Sequence, residues 1–493
     1  TGQALWPSDL AKCSGQALRP SAPGMRAADA PGLRGDHNLH RRLQWLAGAA
    51  SGEPQSTSEL TPMTDRLLSA ATAIAADIRE TADLNLNLKL WDGSVHPLGR
   101  SVEGDLAISI TAPGVIASIV KRPTLDRIIR HYAFGQLSLE GGTIIDLGRR
   151  LDDKGVRRRL RKLSKRRLAK HLWPFVMAPQ KKPERSRDFT GDEDGQSRSK
   201  DDNRSFIQFH YDVGNDFYRL FLDPELQYSC AYFTDWSNTL EQAQRDKIDM
   251  CCRKLRLKPG DRLLDIGCGW GGLIIHAALN YGVTAHGVTL SDEQLARVKE
   301  RIAEHGLEDR VTVEIRDYAD LTGTYDKIAS VGMYEHIGLK NIDAYFKKVR
   351  SILALDGLFL NHAISRKAKR GKRRFSARAE QRALQKYIFP GGELDDIGHT
   401  VAAMEIAGFG VHDVEGWREH YARTTEIWCR RLTERREEAI ALVGEETYRI
   451  WVAYLGGCAL AFERGSARIF QTLASHSARG ASPHPPTRSD LYS

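Results

Sequence analysis

Asp265-Ile266-Gly267-Cys268-Gly269-Trp270-Gly271 sets an acid and three alternate glycines between the apolar run RLLDIG (262–267) and the helix-like LIIHAALN. Glycine lets a backbone turn tightly and approach a ligand that larger side chains would block. The spacing departs from GxGxxG, the form suited to a pyrophosphate at a helix N-terminus, and an acid at the start of the loop can meet a cationic amino-acid ligand. These features point to S-adenosylmethionine rather than a nicotinamide cofactor; a glycine turn without ligand is the plainer reading. The second strand lacks the acid that holds ribose hydroxyls in many such folds. It ends Val288-Thr289-Leu290-Ser291, which leaves Gln294, one turn into the next helix, as the ribose candidate. Asp317 and Tyr318 follow the third strand, where adenine is expected.

Other reactive groups carry no motif of their own. Cys230, beside aromatic residues, reads from sequence as core packing, a common fate for a free thiol. Glu335-His336 stands at a strand end, where any α/β enzyme can place polar residues. His362, near another strand end, fits a satisfied core histidine as well as a functional one, and Tyr421 alone carries no signal. No HExxH or paired-His spacing supports a metal. The seven cysteines form no CxxC pair, so neither zinc nor a disulfide framework is suggested and a reducing cytoplasm fits best.

The elements that must position these groups begin at Ser205, where strands and helices alternate as in a doubly wound, parallel α/β sheet. RLLDIG, VTAHGVTL, VTVEIRD, DKIASVGM and GLFLNHAI are its strands. A smaller N-terminal α+β domain, 63–176, precedes it. There LNLNLKL (84–90) alternates as a half-buried strand, Asp92-Gly93 signals a hairpin, and LAISIT (106–111) reads as the returning strand. TLDRIIRHYAF (124–134) is a helix, and LSLEGG a strand and turn. The domain ends in a basic helix: residues 156–173 hold nine Lys or Arg and no acid, with Val156, Leu160, Leu163 and Leu172 at helical spacing. That segment either lies in a membrane interface or packs its Leu stripe on the domain before it.

Residues 177–204 read as a flexible linker, 205–475 as the catalytic domain with a basic insertion at about 366–386, and 476–493 as a tail. Residues 1–62, rich in Ala, Gly, Pro, Ser and Arg and without the apolar core of a secretory signal, read as a disordered extension or as sequence upstream of the true start. Met63 opens the first helical segment. No apolar run is long enough to cross a bilayer. The formal charge of +9, clustered at 156–173 and 366–374, favours an anionic partner, either lipid head groups or nucleic acid.

Several motifs in order resemble the cyclopropane-fatty-acyl-phospholipid synthases and the related mycolic-acid cyclopropane synthases. They are FHYDVGNDFYRLFLD (209–223), YSCAYF (228–233), LLDIGCGWGG (263–272), GVTLSDEQ (287–294), VGMYEHIG (331–338), NHAIS (361–365), YIFPGGEL (387–394) and GGCALAF (456–462). The resemblance covers roughly 205–475, and more loosely the small domain from about 84. It implies a Rossmann-like methyltransferase domain that binds S-adenosylmethionine, with a bicarbonate ion in the acyl pocket. Carried over by motif, Tyr228, Ser229, Asp265, Gly267, Cys268, Gly269, Trp270, Gly271, Thr289, Leu290, Gln294, Tyr318 and Ala319 would contact the cofactor. Cys230, Glu335, His362, Ile364 (through its backbone) and Tyr421 would hold the bicarbonate. Cys458 matches a cysteine often marked as active in the family, although the chemistry needs no covalent enzyme intermediate.

That chemistry explains the residue types. Methyl transfer to a cis double bond leaves a carbocation, so positioning, exclusion of water and aromatic faces matter more than activation of the alkene. A base must then remove one proton for the ring to close, and Glu335, His362 and Tyr421 would orient bicarbonate for that task. The implied partners are unsaturated phospholipid acyl chains at an anionic membrane surface, met from the cytoplasm. A homodimer stays open, and so does whether the small domain serves a dimer contact or lipid docking. Branched or methylene products from the same cofactor are the nearest alternative. A nucleic-acid methyltransferase explains the charge but lacks a base-reading segment of the Asn-Pro-Pro-Tyr type.

Overall fold

In the small domain, alternation over 84–90 yields β1 (Asn87–Lys89), which follows the long helix α1 (Leu60–Thr81). Gly93, at φ +86, turns the chain after Asp92 into β2 (Val95–Pro97), antiparallel to β1. The run 106–111, read above as the returning strand, is instead β3 (Ala107–Ile110), parallel to β1. A tight turn closes onto the strand next to it in the chain. Pro97, which has no N–H to give a ladder, is tolerated because β2 is the edge of the sheet. After α2 (Pro113–Lys121) and α3 (Leu125–Ala133), β4 (Leu137–Glu140) pairs antiparallel with β3. Then α4 (Ile144–Asp152) opens with a capping box between Thr143 and Asp146.

The structure is a computed structural model and describes residues 60–182, 205–476 and 484–492, apart from 208, 211–212, 370, 372–374 and 377–378. The expected disordered extension as far as 59, the linker from 183, parts of the basic insertion and much of the tail lie outside the described residues. The basic segment 156–173 is two helices, α5 (Lys154–Leu160) and α6 (Lys165–Met177). Ser164 separates them, its side chain accepting the N–H of Arg167 to cap the second. Val156 of α5 and Phe175 of α6 are buried against the small domain.

The catalytic domain follows with α7 (Asn215–Arg219) and α8 (Leu240–Leu255). Next come β5 (Arg262–Ile266), α9 (Gly272–Tyr281), β6 (Thr284–Thr289), α10 (Asp292–Glu304), β7 (Val311–Ile315) and β8 (Tyr325–Val331). The remainder is α11 (Ile342–Ile352), β9 (Leu353–Arg366), α12 (Ala379–Tyr387), α13 (Ile397–Ile406), β10 (Phe409–Gly416), α14 (Arg418–Glu434), α15 (Arg436–Glu463) and β11 (Ala467–His476). The seven strands lie in the order β10-β11-β9-β8-β5-β6-β7.

The five strands read from sequence are all present and mutually parallel, as a Rossmann-like α/β sheet requires. The sheet is mixed rather than wholly parallel, because β11 inserts antiparallel between β9 and β10. Nothing local in 467–476 signals a pairing with strands about sixty and a hundred residues upstream. The small domain shares the core of the catalytic one: Ala133 and Ile145 pack in the cluster of Phe217, Phe221 and Trp451. Gly148 of α4 meets Leu460 so closely that an added Cβ would stand 2.2 Å from its methyl. No helix among the described residues is long and apolar enough to cross a membrane.

Candidate active site

Strand β5 lies inside the sheet between β8 and β6 with four buried residues, and delivers Asp265 to its C-terminal end. There Gly267 and Gly269 take φ +81 and +56, a region costly for any side-chain-bearing residue. The N–H groups of Gly267 and Cys268 both donate to the carbonyl of Val288, at 2.9 and 3.0 Å, locking the loop to β6. A Cβ on Gly267 would press on Met333 at 3.0 Å, whereas one on Gly269 would meet nothing, because that glycine borders a cavity.

Most of the residues assigned to the cofactor line this one cavity: Tyr228, Ser229, Asp265, Gly267, Cys268, Gly269, Trp270, Thr289, Leu290, Gln294 and Tyr318. Two do not. Gly271 caps α9, its Cβ direction filled by Val298, and Ala319 spends its N–H on the Asp317 carboxylate in a short turn. Thr289 Oγ1 donates to Gln294 Oε1 at 2.7 Å, which occupies the carbonyl end of that amide and leaves its NH2 end as a donor. Asp265 is buried with Oδ1 unpartnered, and burial pushes its carboxyl up to about 7, opposed by the charge of Lys247. A glycine cradle beside an orphaned carboxylate oxygen fits a cationic adenosyl ligand.

Sequence reasoning missed Lys247. It lies on the buried face of α8 among Ala243, Ile248, Cys251 and Leu255, a face that also holds Gln244 and Lys254, and charges at such positions were the available signal. Its Nζ donates to Gln227 Oε1 at 2.6 Å and Ser229 Oγ at 3.0 Å. Gln244, one turn earlier, holds the carbonyls of the same two residues. Thus α8 fixes the segment that presents Tyr228 and Ser229.

The six residues assigned to catalysis do not line that cavity. Cys230 is fully buried, its thiol held neutral by burial, with Sγ 3.2 Å from its neighbour's carbonyl and 3.8 Å from that of Trp417. The ring of His362, on β9, stands perpendicular to Trp417 at 5.1 Å, so Trp417 touches both residues. Gln471 Nε2 donates to His362 Nδ1 at 3.0 Å, which places the imidazole proton on Nε2, an atom without a partner. Burial and the charges of Lys247 and Lys254 keep this histidine neutral.

Glu335 sits in the short turn after β8. Its Oε1 accepts the N–H of Ile364, Oε2 is unpartnered, and burial raises the carboxyl to about 7. Of the Ile364 backbone, expected to face bicarbonate, the N–H is given to Glu335. Tyr421, one turn along α14 from Trp417, packs its ring on Phe462 at 4.5 Å. Cys458 lies on α15 beside Tyr454, its thiol raised to about 12 by burial. Tyr454 in turn meets the hydroxyl of Tyr228 at 3.0 Å, which ties this side of the core to the cavity. Tyr228 also packs on Trp428 and Tyr218, each with ring centroids 5.3 Å away.

Residues 198–472 match the mycolic acid cyclopropane synthetase family. A probable fatty acid methyltransferase of Pseudomonas putida is 40% identical over 418 residues, 84% of this chain and 98% of its own. The cyclopropane-fatty-acyl-phospholipid synthase of Escherichia coli is 41% identical over 266 residues, 54% of this chain and 66% of its own. Among solved structures, a mycolic acid cyclopropane synthase complexed with SAH and CTAB is 36% identical, with a TM-score of 0.53, over 55% of this chain and 97% of its own. With the family matched over more than half of its length and the Pseudomonas putida relative covered almost end to end, this chain belongs to the mycolic acid cyclopropane synthetase family of S-adenosylmethionine-dependent methyltransferases.

Proposed function

We propose that this chain transfers a methyl group from S-adenosylmethionine to the cis double bond of unsaturated phospholipid acyl chains, with proton loss and closure to a cyclopropane. Two buried polar atoms without partners carry this reading: Nε2 of His362, whose ring meets Trp417, and Oε2 of Glu335, whose other oxygen accepts the N–H of Ile364 two residues along the same strand. One is an acceptor and the other a donor. A bicarbonate ion suits both, since it offers an O–H to the carboxylate and an oxygen to the imidazole N–H. Cys230 and Tyr421 would complete its surroundings, and Ile364 would act by fixing Glu335.

Asp265, the 267–270 loop, Tyr228, Ser229, Thr289, Leu290, Gln294 and Tyr318 would hold S-adenosylmethionine, which supplies an electrophilic methyl. The rings of Tyr228, Tyr218 and Trp428 exclude water and present π-faces to a developing cation. The Escherichia coli relative's name supports the phospholipid substrate. The Pseudomonas putida relative, called a fatty acid methyltransferase, favours a second reading in which the chain ends branched or methylenated.

Expression in a host lacking its own synthase, followed by lipid mass spectrometry and NMR, separates the two. Gain of one CH2 on monounsaturated chains with ring protons supports the cyclopropane. The same gain with vinylic or methyl-branch signals keeps the transfer and discards the ring closure. No gain, with the cofactor still bound, sinks the acyl-chain substrate.

The lipid surface is met through α6. Trp173 and Met177 are 60% and 70% exposed there, on one helical face with exposed Arg166 and Lys170. Basic and apolar side chains on one face suit an anionic bilayer. Sedimentation with phosphatidylglycerol vesicles should weaken with salt and with paired Trp173→Ala and Met177→Ala changes. Equal binding to neutral vesicles discards this docking mode.

A further inference from the structure

Lys247 is 2% exposed, and an ammonium taken out of water costs several kcal/mol unless it is compensated. Its two hydrogen-bond partners, Gln227 Oε1 and Ser229 Oγ, are neutral. Among the described residues no carboxylate lies within ion-pair distance of Nζ; Asp265 and Asp223 act on it only at longer range. An ammonium has three N–H bonds, and these two acceptors leave one over. The residue borders the same cavity as Asp265 and Ser229. One wall therefore carries an under-compensated positive charge, and the end of β5 carries a carboxylate with an orphaned oxygen.

We infer that Lys247 recognises the α-carboxylate of the methyl donor, directly and through the Ser229 hydroxyl and Gln227 amide that it orients, while Asp265 meets the donor's cationic groups. This rests on the S-adenosylmethionine reading. In that ligand the α-carboxylate is the sole anionic group, and it stands on the same carbon as an ammonium. A buried cation and a buried carboxylate on adjoining walls complement such a zwitterion as no neutral lining does. The arrangement also gives α8 a binding role beyond packing, because one helix supplies the charge and, through Gln244, holds the carbonyls of Gln227 and Ser229.

The test is calorimetric binding of S-adenosylhomocysteine and of its decarboxylated analogue to the full chain and to Lys247→Met, which keeps the side-chain bulk without the charge. The wild-type chain should prefer the carboxylate-bearing ligand by on the order of 100-fold, the scale of a buried charge-assisted contact. In Lys247→Met that preference should fall below about threefold, with affinity for the decarboxylated analogue retained, which a merely unfolded variant would not show. Retention of the wild-type preference in the variant overturns the inference. So does equal binding of both ligands by the wild-type chain, a result that needs no variant to fold. Failure of the wild-type chain to bind either ligand overturns the cofactor reading itself and the inference with it.

Discussion

The cavity bordered by Gly267 and Gly269 and the buried region around Glu335 and His362 are built from different materials. The first is a backbone structure: positive φ angles, two N–H groups sharing the Val288 carbonyl, and a helix start, all within one short stretch. The second is made of side chains held by other side chains. Trp417 touches Cys230 and His362, Gln471 sets the tautomer of His362, and the Ile364 N–H orients Glu335. A turn made of backbone keeps its shape when neighbouring side chains are exchanged but not when a glycine is lost, whereas a side-chain site keeps its shape under conservative change and loses its chemistry with one atom.

The largest effect expected from this contrast is on binding. Gly267→Val forces a branched residue into φ +81 against Met333 and should weaken S-adenosylhomocysteine by roughly 100-fold or more, measured by calorimetry. Affinity within threefold of wild type would break the backbone account.

Next comes Glu335→Gln, which keeps the shape but removes the charge and the acceptor on Oε2. Ring formation should slow by at least about 100-fold while cofactor affinity stays within about twofold. A parallel loss of affinity would show that the two regions are one.

A subtler difference lies in pH. Burial holds the Asp265 carboxyl at about 7, above its unfolded value, so the folded chain keeps a proton that the unfolded chain releases. The resulting stability is complete below the ordinary carboxylate range and declines as pH rises to about 7. Asp265→Asn abolishes that titration, so its Tm relative to wild type should climb between about pH 4 and pH 7, followed by calorimetry. A Tm difference independent of pH would mean that burial does not raise the Asp265 carboxyl above its ordinary range.

The smallest effect is assigned to Cys458, whose thiol is neutral at physiological pH and lies outside the cavity. Cys458→Ser should change kcat by less than about threefold, against several orders of magnitude for a lost nucleophile. A large loss would reinstate a covalent role.

Legibility in the sequence follows the same division. The loop at 265–271 and the five parallel strands were readable because glycine placement and apolar runs express local backbone demands. The pairing of β3 was misread, and β10 and β11 were missed, because strand partnership is settled by sequence-distant packing. Glu335, His362 and Tyr421 entered only through resemblance to a family. Gln471, which sets the proton on His362, carried no signal, since its role arises from the antiparallel pairing of β11 with β9. Lys247 left a faint trace, a charge on the helix face that holds Ala243, Ile248 and Cys251 but also Gln244 and Lys254, and its meaning depends on what that helix packs against.

By itself the sequence determined the fold class and the presence of a cofactor loop, because backbone conformation and apolar periodicity are properties of neighbouring residues. Tertiary structure alone decided which atoms stay unpartnered, which carboxyls hold a proton near neutrality, and which wall of the cavity is positive. Desolvation is a collective property of everything packed around a group, and no stretch of chain specifies that for itself.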